Sequence, residues 1–235
     1  RFAGNFLWQI RIEDAGQTQV CYKYVAAERD PLRGSAEQHL MTSAWEVPAV
    51  GRPGAQTFGV NALKGMYAGF GNCVGRGADG FTIYRPEHWA FKGAHLGYGD
   101  VLGARSRIFG YEVDGLDYVI KDGLPYATGS DGAPEGLTIL GLGIGTNAEA
   151  DHGVWGETLY IGDADALWKA KAFHGEVTPE ILSSMARGNG MIVTFPKGRG
   201  EVFTAATCEW VMGLKRRDPQ VEQITRNVLN RFLGA

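Results

Sequence analysis

A mixed α/β fold is what this sequence predicts, on three observations. Segments of period-2 alternation recur through residues 1–135, the spacing of strands with two different faces. Residues 136–235 alternate strand and helix patterns and end in an amphipathic helix. Glycine supplies 35 of the 235 residues, about twice its usual share of roughly 7%, and so many glycines imply many tight turns between short elements. We therefore expect one domain with a β-rich, loop-rich region (1–135) and an α/β closing region (136–235).

The elements follow in order. Phe6–Ile12 and Gln19–Val25 alternate like strands around Glu13-Asp14-Ala15-Gly16, which predicts a β-hairpin. Ala26–Ser43 is polar and reads as loop with one short helix, and Trp45–Pro53 reads as extended. Thr57–Leu63 and Gly65–Phe70 are strand candidates, followed by a glycine-rich loop over 69–80. Phe81–Tyr84 is a strand stopped by Arg85-Pro86, and Trp89–Phe91 an extended piece. Ser106–Val113 reads as a strand closed by an Asp114-Gly115 turn, with Tyr118–Ile120 returning against it. Gly136–Leu142 is a buried strand. Ala164–Phe173 and Pro179–Ala186 are helices, the second with Thr178 at the N-cap and proline at its first position. Met191–Phe195 and Glu201–Thr204 are core strands joined by Pro196–Gly200. Val221, Ile224, Val228 and Phe232 give the closing helix, Gln220–Leu233, one apolar stripe, and Gly234 stops it.

The formal net charge is −3 with a pI near 6.0, and no basic run exceeds Lys215-Arg216-Arg217. That argues against a nucleic-acid partner, which needs a clustered basic face. No apolar run reaches the roughly 18 residues of a spanning helix, so no membrane partner is expected. Cys21, Cys73 and Cys208 form no CxxC pair, which fits a reducing cytoplasm rather than a disulfide or zinc framework. Strand composition begins almost at once after Arg1. We read the chain as part of a longer polypeptide, packed against the rest of that chain or another subunit in an oligomer.

Several groups invite a chemical reading. Gly71-Asn72-Cys73-Val74-Gly75 has the letters of a nucleophile elbow but lacks the following helix, so a surface loop is the plainer account. Gly141-Leu142-Gly143-Ile144-Gly145 follows a strand but does not open a helix as a dinucleotide fingerprint must. His88, after Pro86-Glu87, is an acid/base or ligand candidate because imidazole titrates near neutrality; a hydrogen-bonded loop histidine beside Trp89 is the alternative. Glu37 and His39 lie two apart on a polar loop and can face one ion. Glu112 sits in mid-strand, where an acid needs a partner. Glu209, after Thr207-Cys208, is expected at a helix start, where the helix field favours an anion or a simple cap.

A set of ordered stretches adds a resemblance. They include Gly4-Asn5-Phe6-Leu7-Trp8, Arg52-Pro53-Gly54, Pro86-Glu87-His88-Trp89, Gly99-Asp100, Gly110-Tyr111-Glu112-Val113-Asp114-Gly115, Gly198-Arg199-Gly200-Glu201-Val202-Phe203 and Ile224-Thr225-Arg226-Asn227. In order and spacing the chain resembles the C-terminal part of proteins related to the large (beta) subunit of N,N-dimethylformamidase. The resemblance implies a class I glutamine amidotransferase-like sheet with a β-rich elaboration. It implies hydrolysis of a small amide at a mononuclear iron held by two tyrosines and a glutamate, assisted by a histidine. The tyrosines would come from upstream of these residues. The glutamate would lie shortly before the stretch matching Trp45, where Glu37 is the nearest acid, with His39 beside it, in a pattern that departs from the family's. The expected site is thus Glu37 as a metal ligand, with His39, His88 and Glu209 as catalytic groups. A noncatalytic ligand-binding or subunit-interaction module of the same fold is the alternative.

Overall fold

A computed structural model of the chain describes residues 1–67, 74–75, 79–110, 112–146, 151–152, 158–159, 164–185 and 187–234. In chain order the elements are β1 (Arg11–Glu13), β2 (Thr18–Val20), α1 (Ala26–Arg29), α2 (Ala55–Phe58), β3 (Asn61–Tyr67), β4 (Val74–Gly75), β5 (Phe81–Ile83) and β6 (Val101–Leu102). There follow β7 (Glu112–Gly115), β8 (Tyr118–Lys121), β9 (Leu124–Ala127), β10 (Thr138–Thr146), β11 (Asp151–His152), β12 (Thr158–Leu159), α3 (Ala164–His174) and α4 (Pro179–Met185). The chain closes with β13 (Arg187–Lys197), β14 (Gly200–Ala205), α5 (Trp210–Lys215) and α6 (Pro219–Leu233).

The fold is mixed helix and strand. Its main sheet runs β14-β13-β10-β5-β6, with β4 also against β10, and strands from both the 1–135 and 136–235 regions meet in it. Two-stranded pairs β1–β2, β3–β7, β8–β9 and β11–β12 surround it, and every ladder is antiparallel. The main sheet is covered on both faces. Leu140 and Ile192 join Phe81, Phe203, Trp210 and the α6 residues Val221, Ile224 and Val228 on one side. Ile139, Leu142, Met191 and Val193 join Val60, Leu116 and Ala206 on the other. Two buried faces explain why Met191–Phe195 is almost continuously apolar rather than alternating.

The glycines of β10 are a packing device. Gly143 pairs with Gly190 of β13, and a Cβ on either would run into the ring of Phe109. The Gly141–Gly145 motif is therefore strand interior seating an aromatic ring, and the strand continues to Thr146. A third core gathers Phe6, Ala44, Val47, Ala62 and Tyr67 with the half-buried Trp8 and Trp168.

The closing region matches its local signals. α4 begins at Pro179, with the Thr178 hydroxyl accepting the Ile181 N–H at 3.3 Å. α6 starts one residue earlier than expected, because the Asp218 carboxylate caps it through the N–H groups of Gln220 and Val221 and Pro219 fills its first position. Gly234 adopts the left-handed conformation that ends it. The apolar stripe is buried only as far as Val228; Leu229, Phe232 and Leu233 are exposed.

The first region departs more. Trp45–Pro53 is a chain of turns, and Ala55–Phe58 is a helical turn, because Asn61 receives the Ala55 N–H and Gly59 takes a left-handed φ of 78°. Residues 106–110 turn instead of extending, with Ile108 and Phe109 buried and Arg107 left-handed. Asp114-Gly115 is not a turn: both lie in β7, which pairs with β3. β8 pairs with β9 around Asp122-Gly123, both at positive φ. Trp89–Phe91 is a 3₁₀ turn rather than extended chain.

Candidate functional site

Two polar assemblies lie on this scaffold. The first is sealed. At the β3–β7 crossing, the Asp114 carboxylate accepts the Tyr67 hydroxyl and the Asn5 N–H (3.2 Å), and pairs with the Arg1 guanidinium at 2.8 Å. Burial raises the pKa of both Asp114 and Tyr67. Glu46 nearby accepts the backbone N–H groups of Ala62 (2.8 Å) and Leu63 (2.7 Å), yet burial outweighs those donors and pushes its carboxyl up to about 7. Glu112 accepts the Asn5 side-chain amide at 2.7 Å, the partner that its mid-strand position called for.

The second assembly is open. A cleft of about 660 Å³ is walled by the start of β10, the β13–β14 hairpin, the His88-Trp89 turn and the last turn of α6. Each wall is fixed by local structure. His88 caps the 3₁₀ turn, its Nδ1 accepting the Ala90 N–H at 3.3 Å. The β13–β14 register sets Pro196 opposite Glu201 and Thr194 opposite Phe203. α6 is tied to the His88-Trp89 turn by the Asn227 side-chain amide, which donates to the carbonyls of Ala90 (2.9 Å) and Lys92 (2.7 Å). Arg231 stands four residues further on, on the same helix face, and so is delivered to the cleft.

Glu201 organises the floor. Its Oε1 accepts the Thr194 hydroxyl at 2.7 Å and the Trp89 indole N–H at 3.2 Å, while Oε2 lies 3.6 Å from the Arg231 guanidinium. Arg231 stacks over the Trp89 ring, 5.2 Å from its centroid, and Phe232 approaches the same ring at 6.5 Å. Burial lowers the His88 pKa, opposed by the negative charges of Glu201 and Glu87. Burial and the Ala90 N–H donated to Nδ1 both favour the uncharged ring. Because Nδ1 is occupied as an acceptor, the neutral ring carries its proton on Nε2 and is a hydrogen-bond donor.

Of the residues singled out from sequence, His88 lines this cleft; Glu37, His39 and Glu209 do not. Glu37 and His39 are exposed on a 3₁₀ turn, and the His39 carbonyl accepts the Gln9 amide at 2.8 Å. Glu209 is the N-cap residue just before α5, at the helix start as expected, but its carboxylate makes no capping bond, and burial raises its pKa against the pull of Arg216. Cys73 lies outside the described residues. Cys208 is half-buried and its thiol is pushed up to about 12 by burial. Among the described residues no three His, Cys, Asp or Glu side chains gather to hold a metal ion. Nor does any described helix have the length and apolar character to cross a membrane.

Sequence reasoning passed over Glu201 and Arg231. Glu201 shows only as a polar residue opening a strand, and its contact with Trp89 spans 112 positions. The available signal was Asn227 and Arg231 at i and i+4 on a helix whose apolar stripe runs on to exposed Phe232.

The profile of the family described as N,N-dimethylformamidase beta subunit-like, C-terminal, matches residues 1–224. The chain belongs to that family. A search of curated proteins gives no match. The match to the dimethylformamidase beta subunit-like C-terminal family takes in His88, Trp89, Thr194, Arg199 and Glu201 but stops short of Arg231 and Phe232.

Proposed function

We propose that this chain is the C-terminal portion of an amide hydrolase resembling N,N-dimethylformamidase, and that it cleaves a linear amide C–N bond in the cleft beside His88. The observation that carries this reading is the juxtaposition, in one open cleft, of a neutral imidazole donor with an organised carboxylate. Amide hydrolysis needs a donor on the carbonyl oxygen, a base for the attacking water and a proton for the departing amine. His88 Nε2–H serves the first need. Glu201, through Oε2, takes the water's proton and returns it to the amine nitrogen as the C–N bond breaks. Thr194 and Trp89 hold Oε1, which fixes the carboxylate plane.

By family resemblance we propose iron as cofactor, with Glu37 as the carboxylate this chain supplies and the other ligands from elsewhere in the protein. The resemblance also supports a class I glutamine amidotransferase-like sheet and contact with another subunit, as the family's description of a beta subunit implies, and the cysteine spacing supports a cytoplasmic location. His39 and Glu209 receive no role in this reading.

His88→Ala is expected to lower amide turnover by about 10²–10³, the usual effect of removing one oxyanion donor, with little change in melting temperature. Unchanged turnover in a folded variant sinks the assignment. A noncatalytic binding module is the second reading, favoured by the exposed, separate placement of Glu37 and His39. Iron content well below one atom per full-length chain, together with no amine release, would decide for it.

A further inference from the structure

Charge and size in the cleft go beyond a small neutral amide. Two guanidinium groups, Arg199 and Arg231, line it against one carboxylate, Glu201. Glu201 has committed Oε1 to Thr194 and Trp89, and the 3.6 Å gap to Arg231 leaves that guanidinium outside hydrogen-bond range. Arg231 is 57% exposed, so the pair is a weak one and its donors remain available. Arg199, in the turn between β13 and β14, makes no hydrogen bond or ion pair with the described residues. His88 adds a further donor. The site is thus rich in donors and net positive, with Trp89 and Phe232 as apolar walls. Its volume of about 660 Å³ lies in the range that encloses ligands much larger than a five-atom amide.

We infer that the substrate is an amide that also carries a carboxylate, its charged end held by Arg199 and Arg231 and its apolar body against Trp89 and Phe232. Guanidinium forks recognise carboxylates through paired N–H donors, whereas the same charge repels a cationic ligand. This inference rests on reading the cleft as the amide site.

The test uses the full chain with N-acetyl-L-phenylalanine and the neutral N-acetyl-L-phenylalaninamide as probes. Binding is measured by calorimetry at low ionic strength, and amine release is followed separately. The acid is expected to bind about tenfold or more tighter than the amide, the effect of one charge-assisted hydrogen bond. Arg199→Gln is expected to remove most of that preference; it touches no core contact, so its folding is secure. Arg231→Gln is expected to reduce it further. Equal affinity for both probes, binding of neither, or a preference that survives both substitutions overturns the inference. Selective binding without amine release leaves the carboxylate subsite standing and overturns the hydrolase reading. Equal amine release from both probes does the reverse.

Discussion

The β3–β7 crossing and the cleft use the same kinds of side chain to opposite ends. At the crossing, Asp114 is sealed and its oxygens are taken by Tyr67, Asn5 and Arg1. In the cleft, Glu201 has one oxygen fixed and the other only loosely opposed by an exposed arginine. A fully satisfied buried carboxylate has nothing left to offer a ligand, and removing it strands its partners. A half-satisfied one at an open surface costs little to hold and can still exchange a proton. Burial that raises the pKa of Asp114, Tyr67 and Glu46 therefore marks sealed structure here, and the open cleft marks function.

The contrast can be broken most sharply at Asp114. Asp114→Ala strands the Arg1 guanidinium and the Tyr67 hydroxyl, and is expected to cost about 3–5 kcal/mol of stability, read as a fall in denaturant midpoint. If cleft binding fell while the midpoint held, the division between the two regions would be wrong. Glu201→Gln is the converse. It is expected to lower turnover by about 10²–10⁴ through loss of the base, with a stability change within about 1 kcal/mol because its ion pair is exposed. Steady-state rates and thermal melts check both halves.

Titration sharpens the comparison further. The Glu46 carboxyl sits at about 7 in the folded chain against an ordinary 4.5, so folding favours its protonated form. That contribution is complete below pH 4.5 and is lost as pH rises through about 7, and the raised Asp114 carboxyl acts in the same direction. Stability is expected to fall by about 2–3 kcal/mol between pH 5 and pH 8. Glu46→Gln should flatten that slope even where it lowers the midpoint, and an unchanged slope would remove Glu46 as its source. The smallest effect concerns Cys208. With its thiol near 12 it should resist iodoacetamide at pH 8, where a denatured control reacts in full; mass mapping of the labelled residue decides.

What the sequence reveals of this molecule follows the reach of its interactions. Thr178-Pro179, the α6 stripe and the Lys197–Gly200 hairpin are legible because their signals lie within a few residues. Asp122-Gly123, not singled out from the sequence, marks a true hairpin, whereas Asp114-Gly115, with the same letters and expected as a turn, is buried strand. The difference is Arg1, Asn5 and Tyr67, which reach Asp114 from distant parts of the chain. The cleft is likewise half-visible. His88 announces itself by residue type, but its partners depend on strand register and on where the Asn227 clamp holds the closing helix.

That clamp divides the closing helix into a buried part and a part that faces the cleft. Val221, Ile224 and Val228 anchor the helix in the core, while residues 231 and 232 project past it and past the span shared with the family. Replacing those two leaves the apolar seat untouched and changes what the mouth of the cleft admits. The final helical turn can thus be rebuilt at the cleft's edge while the fold beneath it stays as it is.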